Sequence, residues 1–179
     1  MNPMVLRIFQ TEVERQCKFA LIAAQDLDRA LHTLENDRIW YSVQSFLVAV
    51  GNVSKLLWPI KKEDKLKLRE RGKELRTSLS VGNDSPLRPR TFRNYFEHFD
   101  EGLEDWATSS ERHNFADSNV GPRPTTCMIA GLDPGDYLRN FDTENFAVTY
   151  RGDEYHLRPI VDAVHALWKK AVVEAQKAF

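Results

Sequence analysis

The residues of this sequence best suited to chemistry are Arg93, Asn94 and His98, which lie together in the stretch RNYFEH. Histidine can take up or release a proton near neutral pH. An arginine guanidinium binds phosphate through paired hydrogen bonds, and an asparagine amide can orient either group. If the substrate were RNA, these residue types would serve phosphodiester cleavage without a metal: His98 would accept a proton from a ribose 2′-hydroxyl, and a 2′,3′-cyclic phosphate would form.

The spacing of the three residues predicts where they lie on a helix. Asn94 and His98 are four positions apart and therefore share a face. Arg93 lies roughly 100° around the helix from Asn94 and roughly 140° from His98. One helix does not direct both ends of the motif at a single phosphate, so a homodimer in which a second copy completes the site is expected.

The element that must position these residues is an amphipathic helix over 89–106. Its apolar residues follow each other at intervals of four, three, four and three, and they form one stripe that is expected to face the core: Phe92, Phe96, Phe99, Leu103 and Trp106. The opposite face carries the candidate residues and several acids. Glu97 could pair with Arg93 one turn away, and the same row could therefore be only a solvated, salt-bridged face.

Two other pairs have a similar interval, so the spacing alone is not specific. Arg151 and His156 flank a predicted hairpin turn, and Arg158 and His165 bracket a helix start without an adjacent asparagine. Only the pair of Arg93 and His98 lies on the polar face of a strongly amphipathic helix.

The remaining elements indicate a mainly α protein. Apolar residues recur at helical spacing over 4–35, 37–57 and 62–79, and again in a last helix that begins at Pro159. An irregular excursion over 107–136 is rich in glycine and proline, and 125–131 could add a strand. Residues 145–157 alternate around an Arg-Gly-Asp turn and predict a β-hairpin. We therefore expect a helical bundle of about five helices with a small hairpin and an excursion before the last helix.

Length and composition are those of one globular domain over 1–179. Apolar residues make up 42% and charged residues 28% of the 179 residues, and the formal net charge is −1. The charge is polarised: 61–93 holds 11 Lys/Arg against 5 Asp/Glu, whereas 97–117 holds 7 Asp/Glu against one arginine. Such a basic segment can attract phosphate backbones. Neither a signal sequence nor a membrane span is expected, which favours the cytoplasm.

Signatures of other chemistries are missing. The sequence has no phosphate-binding P-loop, no dinucleotide-binding glycine pattern and no zinc-protease or serine-hydrolase motif. Cys17 and Cys127 have no partner at metal-binding spacing, and Cys17 falls on a predicted core face. His113 and Asp117 could ligate a metal, but loops often hold such pairs by chance. No cofactor and no metal site are expected.

The arginine–histidine interval in RNYFEH, with Asn94 directly after the arginine, resembles the motif of the HEPN superfamily (higher eukaryotes and prokaryotes nucleotide-binding). The resemblance implies an all-helical bundle and a homodimer with paired motifs in a shared cleft. It also implies RNA as substrate, and a toxin or defence effector with an antitoxin or other partner protein. Some members carry a tyrosine two residues after the histidine, and here Asp100 stands there. The alternative is a non-catalytic interaction or dimerisation protein of the same fold.

Overall fold

The computed structural model describes residues 1–59, 65–89, 94–95, 98–109, 115–122, 132 and 136–177. These residues form five helices and one small sheet, which confirms the mainly helical bundle predicted from the sequence. The helices are α1 (Pro3–Thr33), α2 (Asn36–Leu57), α3 (Lys65–Ser78), α4 (Phe99–Ser109) and α5 (Arg158–Gln176). The strands are β1 (Asn119–Val120), β2 (Arg139–Asp142), β3 (Ala147–Tyr150) and β4 (Asp153–His156).

The bundle is built on α1, which packs along both α2 and α5. Its core-facing residues recur every three or four positions, and Val13, Cys17 and Ala20 are fully buried. Leu34 adopts a left-handed conformation that ends α1 at Thr33, two residues before the end of the helical pattern predicted over 4–35. In the described part of the chain no helix has the length and apolarity needed to cross a membrane.

Helix α3 is polar and contacts the end of α2 through a glycine. A Cβ atom at Gly72 would lie 2.7 Å from the carbonyl oxygen of Leu57 and 2.6 Å from the ring of Pro59. The missing side chain therefore permits the close approach of the two helices. Arg76, one turn further along α3, donates a hydrogen bond to the same Leu57 carbonyl, which satisfies an end group of α2.

The sheet has the strand order β1-β2-β3-β4, with β1 parallel to β2 and the other pairs antiparallel. The hairpin predicted over 145–157 is confirmed as β3 and β4. Arg151 and Gly152 both have positive φ angles, 46° and 89°, as a tight two-residue hairpin turn requires. The sequence did not predict β1 or β2, and the strand expected over 125–131 lies outside the described residues.

The helix expected over 89–106 lies only partly within the described residues. Its regular described part is Phe99–Ser109, three residues beyond the predicted end, and Asn94 and Tyr95 also have helical backbone geometry. The backbone N–H of His98 donates to the carbonyl of Asn94 at 2.9 Å, and that of Gly102 donates to the carbonyl of His98 at 3.1 Å. Helical hydrogen bonds therefore continue from Asn94 into α4.

Candidate functional site

The sheet-facing side of α4 and the turn before it is held by two tyrosines. The rings of Tyr95 and Tyr150 stack with centroids 4.6 Å apart, and the Tyr95 hydroxyl donates a hydrogen bond to Asp153 on β4. This hydrogen bond, followed by burial, raises the pKa of Tyr95. Further along the helix, a Cβ atom at Gly102 would lie only 2.0 Å from the Tyr150 hydroxyl. Glycine at this position lets α4 pack directly onto β3.

A partly buried ion pair contacts the first residue of α4. The Arg139 guanidinium on β2 binds both carboxylate oxygens of Asp117, with Nε 2.8 Å from Oδ1. The same guanidinium lies 4.8 Å from the ring centroid of Phe99 and 5.5 Å from that of Trp40. Burial alone would raise the pKa of Asp117, but the hydrogen bonds and charge of Arg139, together with two hydrogen bonds from Ser118, hold that pKa below its ordinary value. Arg139 thus links α2, α4 and the sheet beside the candidate histidine.

The predicted apolar stripe is corrected in one respect. Trp106 is buried, as expected, and packs edge-to-face against Phe115. Leu103, however, is 39% exposed, because the sheet-facing position at this level of the helix belongs to Gly102. Phe92 and Phe96 lie outside the described residues.

The solvent-facing side carries the candidate chemistry. Asn94 and His98 are both exposed and lie one turn apart along the line of helical hydrogen bonds, as the sequence predicted. Arg93 lies outside the described residues, so its proposed role stays a prediction. The anchored face therefore supports a histidine and an asparagine that solvent can reach.

Glu101 is a member of this site that sequence reasoning did not assign. Its Oε1 atom lies 3.4 Å from Nδ1 of His98, at the i,i+3 spacing that could have signalled the pair. Both side chains are largely exposed, so the contact adds little to stability. It favours a proton on Nδ1, which leaves Nε2 as the nitrogen that can act as a base.

The competing pair on the hairpin, Arg151 and His156, contacts different residues. Arg151 pairs with Asp105 of α4 at 3.7 Å, and Nε2 of His156 lies 3.7 Å from Glu154 on its own strand. Each of the two residues thus contacts its own carboxylate.

Of the loop pair His113 and Asp117, which could have held a metal, the structure describes Asp117. Both carboxylate oxygens of Asp117 are bound by Arg139, which leaves this side chain unsuited to a cation, and His113 lies outside the described residues. Over the described ranges, no group of three or more His, Cys, Asp or Glu side chains could hold a metal ion.

Comparison of the chain with protein-family models, curated proteins and solved structures gives no match.

Proposed function

We propose that this protein is a metal-independent endoribonuclease in which His98 transfers protons. The observation that supports the proposal is the exposed imidazole on an anchored helix, with Asn94 one turn away and a carboxylate of Glu101 beside Nδ1. The resemblance of RNYFEH to the HEPN motif points to the same reaction and adds Arg93 as the phosphate-binding residue.

The reaction follows from these residue types. Nε2 of His98 removes the proton of a ribose 2′-hydroxyl, and the 2′-oxygen attacks the adjacent phosphorus. The bond to the 5′-oxygen breaks, that oxygen takes a proton from a second imidazole, and a 2′,3′-cyclic phosphate remains on the upstream fragment. Arg93 stabilises the charge that develops on the phosphate oxygens, and Asn94 orients His98 or the phosphate. A homodimer supplies the second imidazole.

The test compares two histidine variants on RNA in the presence of EDTA. His98→Ala should lower the cleavage rate at least about 100-fold, the usual contribution of acid–base catalysis. His156→Ala is the matched control, because His156 is also exposed, also contacts a glutamate and also follows an arginine by five positions. Its activity should equal that of the wild type.

The products and the substrate range supply further checks. The upstream fragment should end in a cyclic phosphate, and RNA that carries 2′-O-methyl groups should stay intact because its 2′-oxygen has no proton to lose. If RNA is not cleaved, or if both histidine variants cleave equally well, the proposal is wrong.

One observation favours the alternative of a non-catalytic interaction protein. Phe19, Ile22 and Tyr41 are each about half exposed or more, and they line a cavity of about 180 Å³ between α1 and α2. As a docking or dimerisation face, this patch predicts that Tyr41→Ser changes the mass measured by light scattering while nuclease assays stay flat in every variant. A strictly monomeric wild type would contradict this role and the dimeric nuclease alike.

A further inference from the structure

A second cavity lies at the end of α2, beside the loop that follows α3. Its volume is about 550 Å³, within the range of ligand-binding clefts. The residues that line it are Trp58, Asn83, Asp84, Ser85, Arg88 and Pro89. We call this cavity, together with the neighbouring Arg76, the arginine notch.

Two guanidinium groups give the arginine notch its positive charge. Arg76 extends from α3 over the ring of Trp58, with 5.5 Å between its Cζ atom and the ring centroid. Arg88 is exposed and donates a hydrogen bond from Nη1 to the carbonyl of Asn83 at 3.0 Å. Burial, and then the charge of Arg88, lower the pKa of Arg76, so the two cations repel each other across this region. An anion placed there would relieve the repulsion.

Most of the hydrogen-bonding capacity of these two arginines is unused. Each guanidinium has five N–H donors. Over the described residues, Arg76 donates only to the Leu57 carbonyl and Arg88 only to the Asn83 carbonyl, and neither forms an ion pair. Asp84 lines the same cavity without pairing with either of them. Planar forks of free donors beside one another are the arrangement that phosphate groups favour.

We propose that the arginine notch binds a backbone phosphate of single-stranded RNA outside the cleavage site. The inference rests on the proposed function and addresses a difficulty in it: α4 presents the exposed acids Asp100, Glu101 and Glu104 beside His98, and these repel a polyanion. A substrate strand therefore needs positive charge elsewhere.

The position of the arginine notch along the chain suits this role. Pro89 lies nine residues before His98, and a chain of that length spans at most about 32 Å. The arginine notch is thus within reach of a short RNA strand that also contacts His98. Asn83 and Ser85 add side chains that can hydrogen-bond to any base or sugar. The expected binding is therefore independent of RNA sequence.

The test measures binding of a fluorescent 2′-O-methyl RNA oligonucleotide, which cannot be cleaved by attack of a 2′-hydroxyl. Arg88→Ala should weaken binding at least about fivefold in 50 mM salt, and it should reduce the slope of log affinity against log salt by about 0.7, the value for one phosphate contact. Arg38→Ala, which removes an exposed arginine of α2 with the same change in charge, is the matched control and should bind within twofold of the wild type.

A variant that gains affinity separates the proposal from simple loss of structure. Asp84→Asn removes the carboxylate that lines the arginine notch and should tighten binding about two- to threefold. If Arg88→Ala and Arg38→Ala bind alike, or if Asp84→Asn fails to tighten binding, the arginine notch is not the phosphate site.

The two proposals can fail separately. If His98→Ala abolishes cleavage while Arg88→Ala binds as the wild type does, the arginine notch is refuted and the nuclease stands. If binding depends on Arg88 but the wild type cleaves no RNA, the phosphate site stands and the nuclease is refuted.

Discussion

The contact between Gly102 and Tyr150 gives the sharpest test of how α4 packs against β3. Gly102→Ala removes a helix-weakening glycine and by itself should stabilise α4 by about 1 kcal/mol. The new Cβ atom, however, would lie 2.0 Å from the Tyr150 hydroxyl, about 1.5 Å closer than a normal contact. Tyr150 is 2% exposed and stacked on Tyr95, so its ring cannot easily move.

The two effects oppose each other and the clash is expected to win. Forcing a methyl group into a filled site costs about 1–3 kcal/mol. The very short distance from the new Cβ atom to the Tyr150 hydroxyl places Gly102→Ala near the upper end of that range. We therefore expect a net loss of about 2 kcal/mol in the free energy of unfolding, or a melting temperature lower by about 4–8 °C for a chain of this size. Denaturant and thermal unfolding followed by circular dichroism measure both quantities.

Tyr150→Phe supplies the control. The Tyr150 hydroxyl is buried and has no hydrogen-bond partner among the described residues, so its removal should be neutral or slightly stabilising. Without it, the nearest atom to the new Cβ is the ring Cζ, 3.2 Å away. The double variant should therefore regain most of the lost stability, with a coupling energy of about 2 kcal/mol. A Gly102→Ala protein as stable as the wild type, or a double variant no better than Gly102→Ala, would refute this packing.

The other predictions concern the partly buried ion pair of Asp117 with Arg139 and the buried thiol of Cys17. Asp117→Asn should lower the free energy of unfolding by roughly 2 kcal/mol at pH 7, between the values for surface and buried pairs. Because the folded pKa of Asp117 lies below its unfolded value of about 3.9, its contribution is complete above that value and is lost as the pH falls through the folded pKa. The difference in free energy of unfolding between Asp117→Asn and the wild type, measured by urea titration, should thus be constant from pH 5 to 7 and shrink below pH 4. A difference that stays constant down to pH 2.5 would contradict the pairing. Burial raises the pKa of Cys17 to about 12, so in a Cys127→Ser background iodoacetamide should modify Cys17 only when denaturant is added, and rapid labelling of the native protein would contradict its burial.

Local patterns in the sequence determined the elements that depend on short-range chemistry. Helices α1, α2 and α5 follow from apolar residues at intervals of three and four, because these intervals alone produce a buried stripe on a helix. The strands of the β3–β4 hairpin follow from the alternation of apolar residues on either side of Arg151 and Gly152. The turn follows from Gly152, because glycine adopts a positive φ angle more readily than other residues. The exposure of Asn94 and His98 follows in the same way from their place opposite the apolar stripe.

Long-range contacts were decided only by the tertiary structure. Strand β2 reads Arg-Asn-Phe-Asp and has no apolar alternation, so it becomes a strand through pairing with β3 rather than through its own preference. The pair between Arg139 and Asp117 joins residues 22 positions apart, a distance at which no periodicity gives a signal. The packing of α4 against β3 depends likewise on Gly102, whose missing side chain matters only because Tyr150 lies against it. The sequence could place His98 on a polar helix face, but the packing of that helix against the sheet and the arginine notch beside α2 exist only in the folded chain, because both are made by residues that are distant in sequence.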